Sequence, residues 1–149
     1  MARDYDDGYA TCATTDALLR IFSDEIPPDQ VTRALGVSPT SSVRKGELRN
    51  PKEPRSASKT NCWYLGSSAS VQSKDCRRHI DWILERIYPA KEALLRLQES
   101  GVDVSICCTW ESSGNQGGPI MNPEQMGPLS ELGIPVWWEF WYSGDGETQ

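Results

Sequence analysis

The sequence predicts an α+β fold: a ferredoxin-like split β-α-β sheet with helices on one face, extended by a short helix and a C-terminal strand. Three observations carry this. The stretch DCRRHIDWILERIYPAKEALLRLQESG, Asp75 to Gly101, places Ile80, Ile83, Leu84 and Ile87 on one helical face, which must be buried against something. Alternating segments rich in aromatic and β-branched residues lie on either side of it. The order strand, helix, strand, strand, helix, strand is that of the ferredoxin-like plan. At 149 residues the chain suits one domain with a real core. We place that domain at 11–143, after a loose arm at 1–10 and before a tail at 144–149.

Each element has its own warrant. From about Thr11 to Phe22, Ala17, Leu19 and Ile21 alternate with Asp16, Leu18 and Arg20, the pattern of a strand. In DEIPPDQVTRALGVSPT, proline suits a first helical turn, Val31, Ala34 and Leu35 form a short stripe, and Gly36 is placed to end the helix in a left-handed conformation. Residues 40–60 are rich in Ser, Pro and basic side chains, so a frayed strand near Val43 to Leu48 and then a mobile loop are expected. NCWYLGS reads as a strand with Trp63 and Leu65 on one face.

Asp75 is a candidate N-cap for the long helix, and Pro89 should kink it or restart it. VDVSICCTW alternates most cleanly, with Val102, Val104, Ile106, Cys108 and Trp110 opposite Asp103, Ser105, Cys107 and Thr109, and should lie inside the sheet. NPEQMGPLSELG suggests a short helix before the last strand, IPVWWEFWY. The two faces of that strand are Ile134, Val136, Trp138, Phe140 and Tyr142, and Pro135, Trp137, Glu139 and Trp141.

Charge is unevenly spread. The net charge of -6 argues against nucleic acid or an anionic membrane as main partner, since either calls for a basic surface. From Met1 to Gln30 seven acids face only Arg3 and Arg20, whereas Val31 to Thr60 carries seven basic residues against Glu47 and Glu53. From Val102 onward there is no Lys or Arg at all, while Asp103, Glu111, Glu124, Glu131, Glu139, Asp145 and Glu147 are present. These charges either neutralise one another across the fold or form an acidic docking surface for a cationic partner. No apolar run approaches a membrane span, and MARDYDDGYA is acidic where a secretory signal is basic and then apolar, so a cytoplasmic protein is expected. Five cysteines without a C-x-x-C pair indicate neither a disulfide framework nor a zinc site.

The run DEIPPDQVTRALGVSPT, then RKGE, NCWYL, IYPAKEALLRL and the ending LSELGIPVWWEFWY resembles the bacterial domain of unknown function numbered 4279, over about Thr14 to Tyr142. The resemblance implies a small α+β bacterial domain and brings no catalytic residues with it. Small domains of this sort are often encoded near toxins, which by analogy implies an immunity role.

Candidate chemistry is thin, so no catalytic residue, metal or cofactor is assigned and a non-enzyme is expected. His79, the only histidine, stands beside Arg77 and Arg78 and is expected in a solvated or capping role. Cys76 near the same helix start has no matched base. The Gly114 to Gly118 loop lacks the Lys-Ser/Thr of a phosphate-binding loop. Glu139 and Asp103 form a carboxylate pair that could meet across neighbouring strands.

The last strand is the sharper candidate. Trp137, Glu139 and Trp141 should face away from the helix, with Asp103 and Glu111 supplying further negative charge. They form either a hot spot for a basic protein or a packing layer beneath the Ser/Pro-rich loop. The reading is an immunity protein that occludes the basic active site of a cognate toxin. The alternative is a small-ligand-binding or enzymatic domain with a pocket near the Gly114 to Gly118 loop.

Overall fold

The spine of the structure, a computed structural model describing residues 3–114 and 116–142, is strand β1 (Cys12–Ser23). It pairs antiparallel with β3 (Asn61–Gly66) on one side and with β4 (Asp103–Ser112) on the other. A short β2 (Ser41–Val43) joins β3 antiparallel, and β5 (Val136–Tyr142) joins β4 in parallel. The order β2-β3-β1-β4-β5 is the expected ferredoxin-like sheet with one strand added at the outside. Because β4 and β5 are parallel, the chain needs a crossover between them, and α4 (Pro123–Leu132) supplies it.

One core holds these elements together. From the sheet come Ala17, Leu19, Ile21, Trp63, Leu65, Val104, Ile106, Cys108 and Trp110, all on one face. Opposite them, α1 (Pro28–Leu35) supplies Val31 and Leu35, and α2 (Cys76–Ile87) supplies Ile80, Ile83, Leu84 and Ile87. Leu94 of α3 (Lys91–Glu99) and Leu129 and Leu132 of α4 complete the layer. Each such fully buried aliphatic side chain stabilises the fold by about 1.5–3 kcal/mol. Trp63 also satisfies its polar atom, since Nε1 donates to Thr32 Oγ1 at 3.0 Å.

The long helix does restart at Pro89, through a 3₁₀ turn at Tyr88–Ala90. Gly36 ends α1 at φ 69°, the left-handed cap that favours glycine.

Two expectations are corrected, and β1 holds one irregularity that alternation does not show. The strand sought near Val43 to Leu48 is instead Ser41–Val43, and Leu48 makes only a bridge to Ala57. In β1 the pairing register slips between Cys12 and Thr14, and this bulge returns Cys12 to the core although it is out of phase with Ala17, Leu19 and Ile21. The first residues, read as a loose arm, are tied down from Arg3 onward. Tyr5 Oη and Arg3 both bond the carboxylate of Asp81, which also accepts from Gln125 Nε2 of α4 at 3.0 Å. The Asp6 amide donates to Asp75 at 2.7 Å, and Asp7 accepts from Ser73 and pairs with Arg78.

Asp75 joins two of these duties. Its side chain caps α2 by accepting from the Arg77 amide at 3.0 Å, and the Arg77 guanidinium grips both its oxygens. Burial alone would raise its pKa, but Arg77 and the Asp6 and Arg77 amides outweigh that and hold it below the usual carboxylate value. Replacing Asp75 with Ala should therefore cost about 2–4 kcal/mol, from a lost cap and an uncompensated, largely buried arginine. Urea denaturation checks the value, and a change under about 0.5 kcal/mol would remove Asp75 from this role.

Candidate functional site

Because the helices cover one face of the sheet, the residues of the other phase form a face without helices. Along β4 this face carries Asp103, Ser105, Cys107, Thr109 and Glu111, and the register sets Trp137 beside Cys107, Glu139 beside Thr109 and Trp141 beside Glu111. On the far side of β4, Thr14, Asp16, Leu18, Arg20 and Phe22 of β1 follow in step. The row is polar at its centre. Thr109 Oγ1 donates to Asp16 at 2.7 Å, and Arg20 lies 5.9 Å from the Phe22 ring centroid. Cys107 is buried among them, and burial together with Glu139 and Asp16 pushes its thiol pKa up against the opposing pull of Arg20.

The structure thus brings together four of the five expected site residues. Trp137, Glu139 and Trp141 project from β5 with Glu111 alongside, and the two Trp side chains are 60% and 61% exposed. The Ser/Pro-rich loop lies elsewhere: Arg49 and Ser58 cover Cys62 of β3, three strands away from β5. Asp103 stands apart. It is level with Phe22 at the start of β4, six residues from the Thr109 that flanks Glu139, or about 20 Å at strand rise. The two carboxylates do not form a pair.

Two further residues belong to the surface. Phe140 and Tyr142, read as helix-facing, are each 60% exposed, because β5 is the outer strand and the helix layer covers only its beginning. Phe140 stacks on Trp138 at 5.8 Å and meets Trp110 edge-on at 6.4 Å, so the strand presents aromatic area on both faces. Aromatic residues in an outermost position were the available signal, but alternation alone does not reveal which strand lies at an edge.

At the end of β5 a cavity of about 370 Å³ is lined by Trp110, Gly114, Gln116, Gly117, Phe140 and Trp141. Trp110 Nε1 is buried beside it without a hydrogen-bond partner among the described residues. Gly117, at φ 99°, holds the loop against Thr11, just before β1, and the Thr11 side chain fills the place of a Cβ.

His79 is a correction. Expected in a solvated or capping role, it is instead 2% exposed, with Nδ1 2.7 Å from Ser67 Oγ and Nε2 2.8 Å from the Ser73 carbonyl. The carbonyl requires Nε2 to donate, and burial disfavours the charged ring, so it is neutral and Ser67 donates to Nδ1. It ties α2 to the end of β3, whose Ser67 hydroxyl also accepts from the Ala17 amide. The five cysteines are buried thiols, and Cys108, hydrogen-bonded to Cys76 in the core, has its pKa raised by that bond and by burial. Among the described residues no group of His, Cys, Asp and Glu could hold a metal ion, and no helix is long and apolar enough to cross a membrane.

These features define an α+β domain that presents a bare sheet face and an aromatic edge strand. The chain belongs to the family described as Domain of unknown function (DUF4279), whose model matches residues 13–143. No curated protein and no solved structure matches it.

The buried histidine carries a pH signature. Its folded pKa is depressed below 6.5 by burial, so the unfolded chain binds a proton that the native ring does not. The stability it contributes should be complete above pH 6.5 and fall as pH drops through 6.5 toward the folded value. Thermal melts of the native chain and of His79→Gln between pH 5 and 8 should show this slope only in the native chain, and parallel curves would exclude it.

Proposed function

We propose that this domain works by binding a basic protein through β5 and the bare face beside it. The observation that supports this best is the row of Trp137, Phe140, Trp141 and Tyr142, each about 60% exposed, around a single carboxylate. Large exposed aromatics are costly on a solvated surface and supply anchors in an interface. Around them the bare face carries Glu139, Glu111 and Asp16 against Arg20, and no Lys or Arg follows Val102 in the sequence. In the finer form of the proposal, which rests on the analogy with small domains encoded beside toxins, the partner is a cognate bacterial toxin. Carboxylates would then stand where its substrate's phosphates go, and the aromatic rings would anchor the occluding contact.

A second reading takes the cavity beside Trp110 as a small-ligand site. That Nε1 has no partner among the described residues supports it, because a buried indole N–H normally finds an acceptor. Thermal-shift screening against small acceptors, compared with the Gly117→Val chain, separates this from the protein-binding role.

The double variant Trp137→Ser with Trp141→Ser should melt within about 3 °C of the native chain, because exposed positions contribute little to stability. With the partner recovered from the native host, it should lose about a hundredfold or more in affinity. The association rate of the native chain should fall about tenfold between low and physiological salt. A collapse in melting temperature would make these residues structural, and a flat salt profile would remove the charge argument.

A further inference from the structure

The parallel pairing of β5 determines which of its backbone groups are already used. The Ile106 amide donates to the Pro135 carbonyl while Ile106 is level with Val136, and in a parallel ladder this sets the alternation for the whole strand. Trp137, Glu139 and Trp141 turn their N–H and C=O groups toward β4. Val136, Trp138, Phe140 and Tyr142 turn theirs outward, and no described strand pairs with that edge.

Natural sheets guard such an edge with lysines, prolines, inward charges or a short strand. Here it runs for seven residues, Val136–Tyr142, with no Lys and no Pro, and its one charge is Glu139. A long, aromatic, unguarded edge is a template for a further strand.

We propose that the partner binds by β-augmentation: an extended, lysine- or arginine-bearing segment of it adds as a sixth strand along the outer edge of β5. The inference rests on the reading above that β5 meets a basic protein, and it specifies how. Charge complementarity selects this occupant. Side chains of an added strand alternate, so one set lies along Trp137, Glu139 and Trp141, where a cation meets Glu139 between two indoles, and the other lies along Trp138 and Phe140. A second copy of this chain fits poorly. Full antiparallel overlap of two β5 strands, centred on their middle residue, sets Glu139 opposite Glu139, and like charges directly opposed across strands destabilise the pair.

Amide exchange tests this on the intact chain with a defined probe, a capped peptide of alternating Lys and Val about ten residues long. In the free protein the Trp137, Glu139 and Trp141 amides should exchange slowly and those of Trp138, Phe140 and Tyr142 rapidly. Saturating peptide should slow the second set about tenfold or more. A Lys-Pro peptide of the same charge, which lacks half the donors and holds a polyproline conformation, should bind at least about tenfold more weakly, and so should a Glu-Val peptide.

Phe140→Pro removes one outward N–H without breaking the β4 ladder, and it should lose about tenfold in peptide affinity relative to Phe140→Ala. Tyr142→Pro against Tyr142→Ala repeats the comparison at the end of the strand should the first variant misfold. Equal binding of the Lys-Val and Lys-Pro peptides, no added protection at Trp138 and Phe140, or a proline variant equal to its alanine control each overturns augmentation. If the Trp137 and Trp141 variants still abolish binding of the native partner, the protein-binding role stands without it. Protection of the same amides that appears with protein concentration alone would make the occupant a second copy, and this also overturns the proposal.

Discussion

Every helix of this domain contributes to a single core against one face of one five-stranded sheet, and most of what the molecule presents follows from that one-sided burial. The Ile80, Ile83, Leu84 and Ile87 stripe of α2 meets Ala17, Leu19 and Ile21 of the central strand, and α1, α3 and α4 extend the same layer. With its apolar supply used there, the chain has little left for the other face. That face is closed at the β3 end by the loop carrying Arg49 and Ser58, and at its centre by short polar pairs such as Thr109 with Asp16. At the β5 end, large aromatics stand in solvent.

Most polar groups inside the structure are hydrogen-bonded, Arg20 Nε and Trp110 Nε1 being exceptions among the described residues, and those of α2 sit where separate elements must be joined. Asp75 caps the start of α2 and Asp81 lies midway along it, and both are almost fully buried. Asp75 serves the helix end and the N-terminal segment, while Asp81 serves the N-terminal segment and α4 through Gln125. His79 lies between them in sequence and ties the same helix to Ser67 and Ser73. Helix α2 is thus anchored by apolar contacts along its length and by polar contacts from its cap to its middle. This concentrates structural demand on residues whose chemistry could otherwise suggest catalysis.

The elements with strong periodicity were readable from the residues, because burial imposes the period directly. The stripe of the long helix, the break at Pro89, the Asp75 cap and the alternation from Val102 to Trp110 all appear as the sequence implies. What the residues did not disclose depends on partners distant in sequence. The neighbouring Arg77 and Arg78 suggested a solvated or capping His79, but Ser67 and Ser73 approach it from the loop before the helix. The polar, acidic start suggested a loose arm, yet its partners Asp75 and Asp81 lie some seventy positions away. Trp137 and Trp141 were identified as the outward pair from alternation alone. The exposure of Phe140 and Tyr142 follows from β5 being outermost, which is a property of the whole sheet rather than of its own residues.

The strand order also constrains when the domain can form. Strand β1 lies in the middle of the sheet, yet its neighbour β4 comes late in the chain: Cys12 is paired with Ser112, 100 positions further on. Such long-range pairing makes folding slow, since a large loop must close before the contacts repay its entropy. On a ribosome, the first strand emerges well before β4, and that edge stays unfilled until β4 follows. β3 lies closer in sequence, with Ser23 paired to Asn61, so its closure costs less loop entropy than that of β4. The late arrival of β4 then sets the moment at which the molecule acquires its acidic, aromatic end.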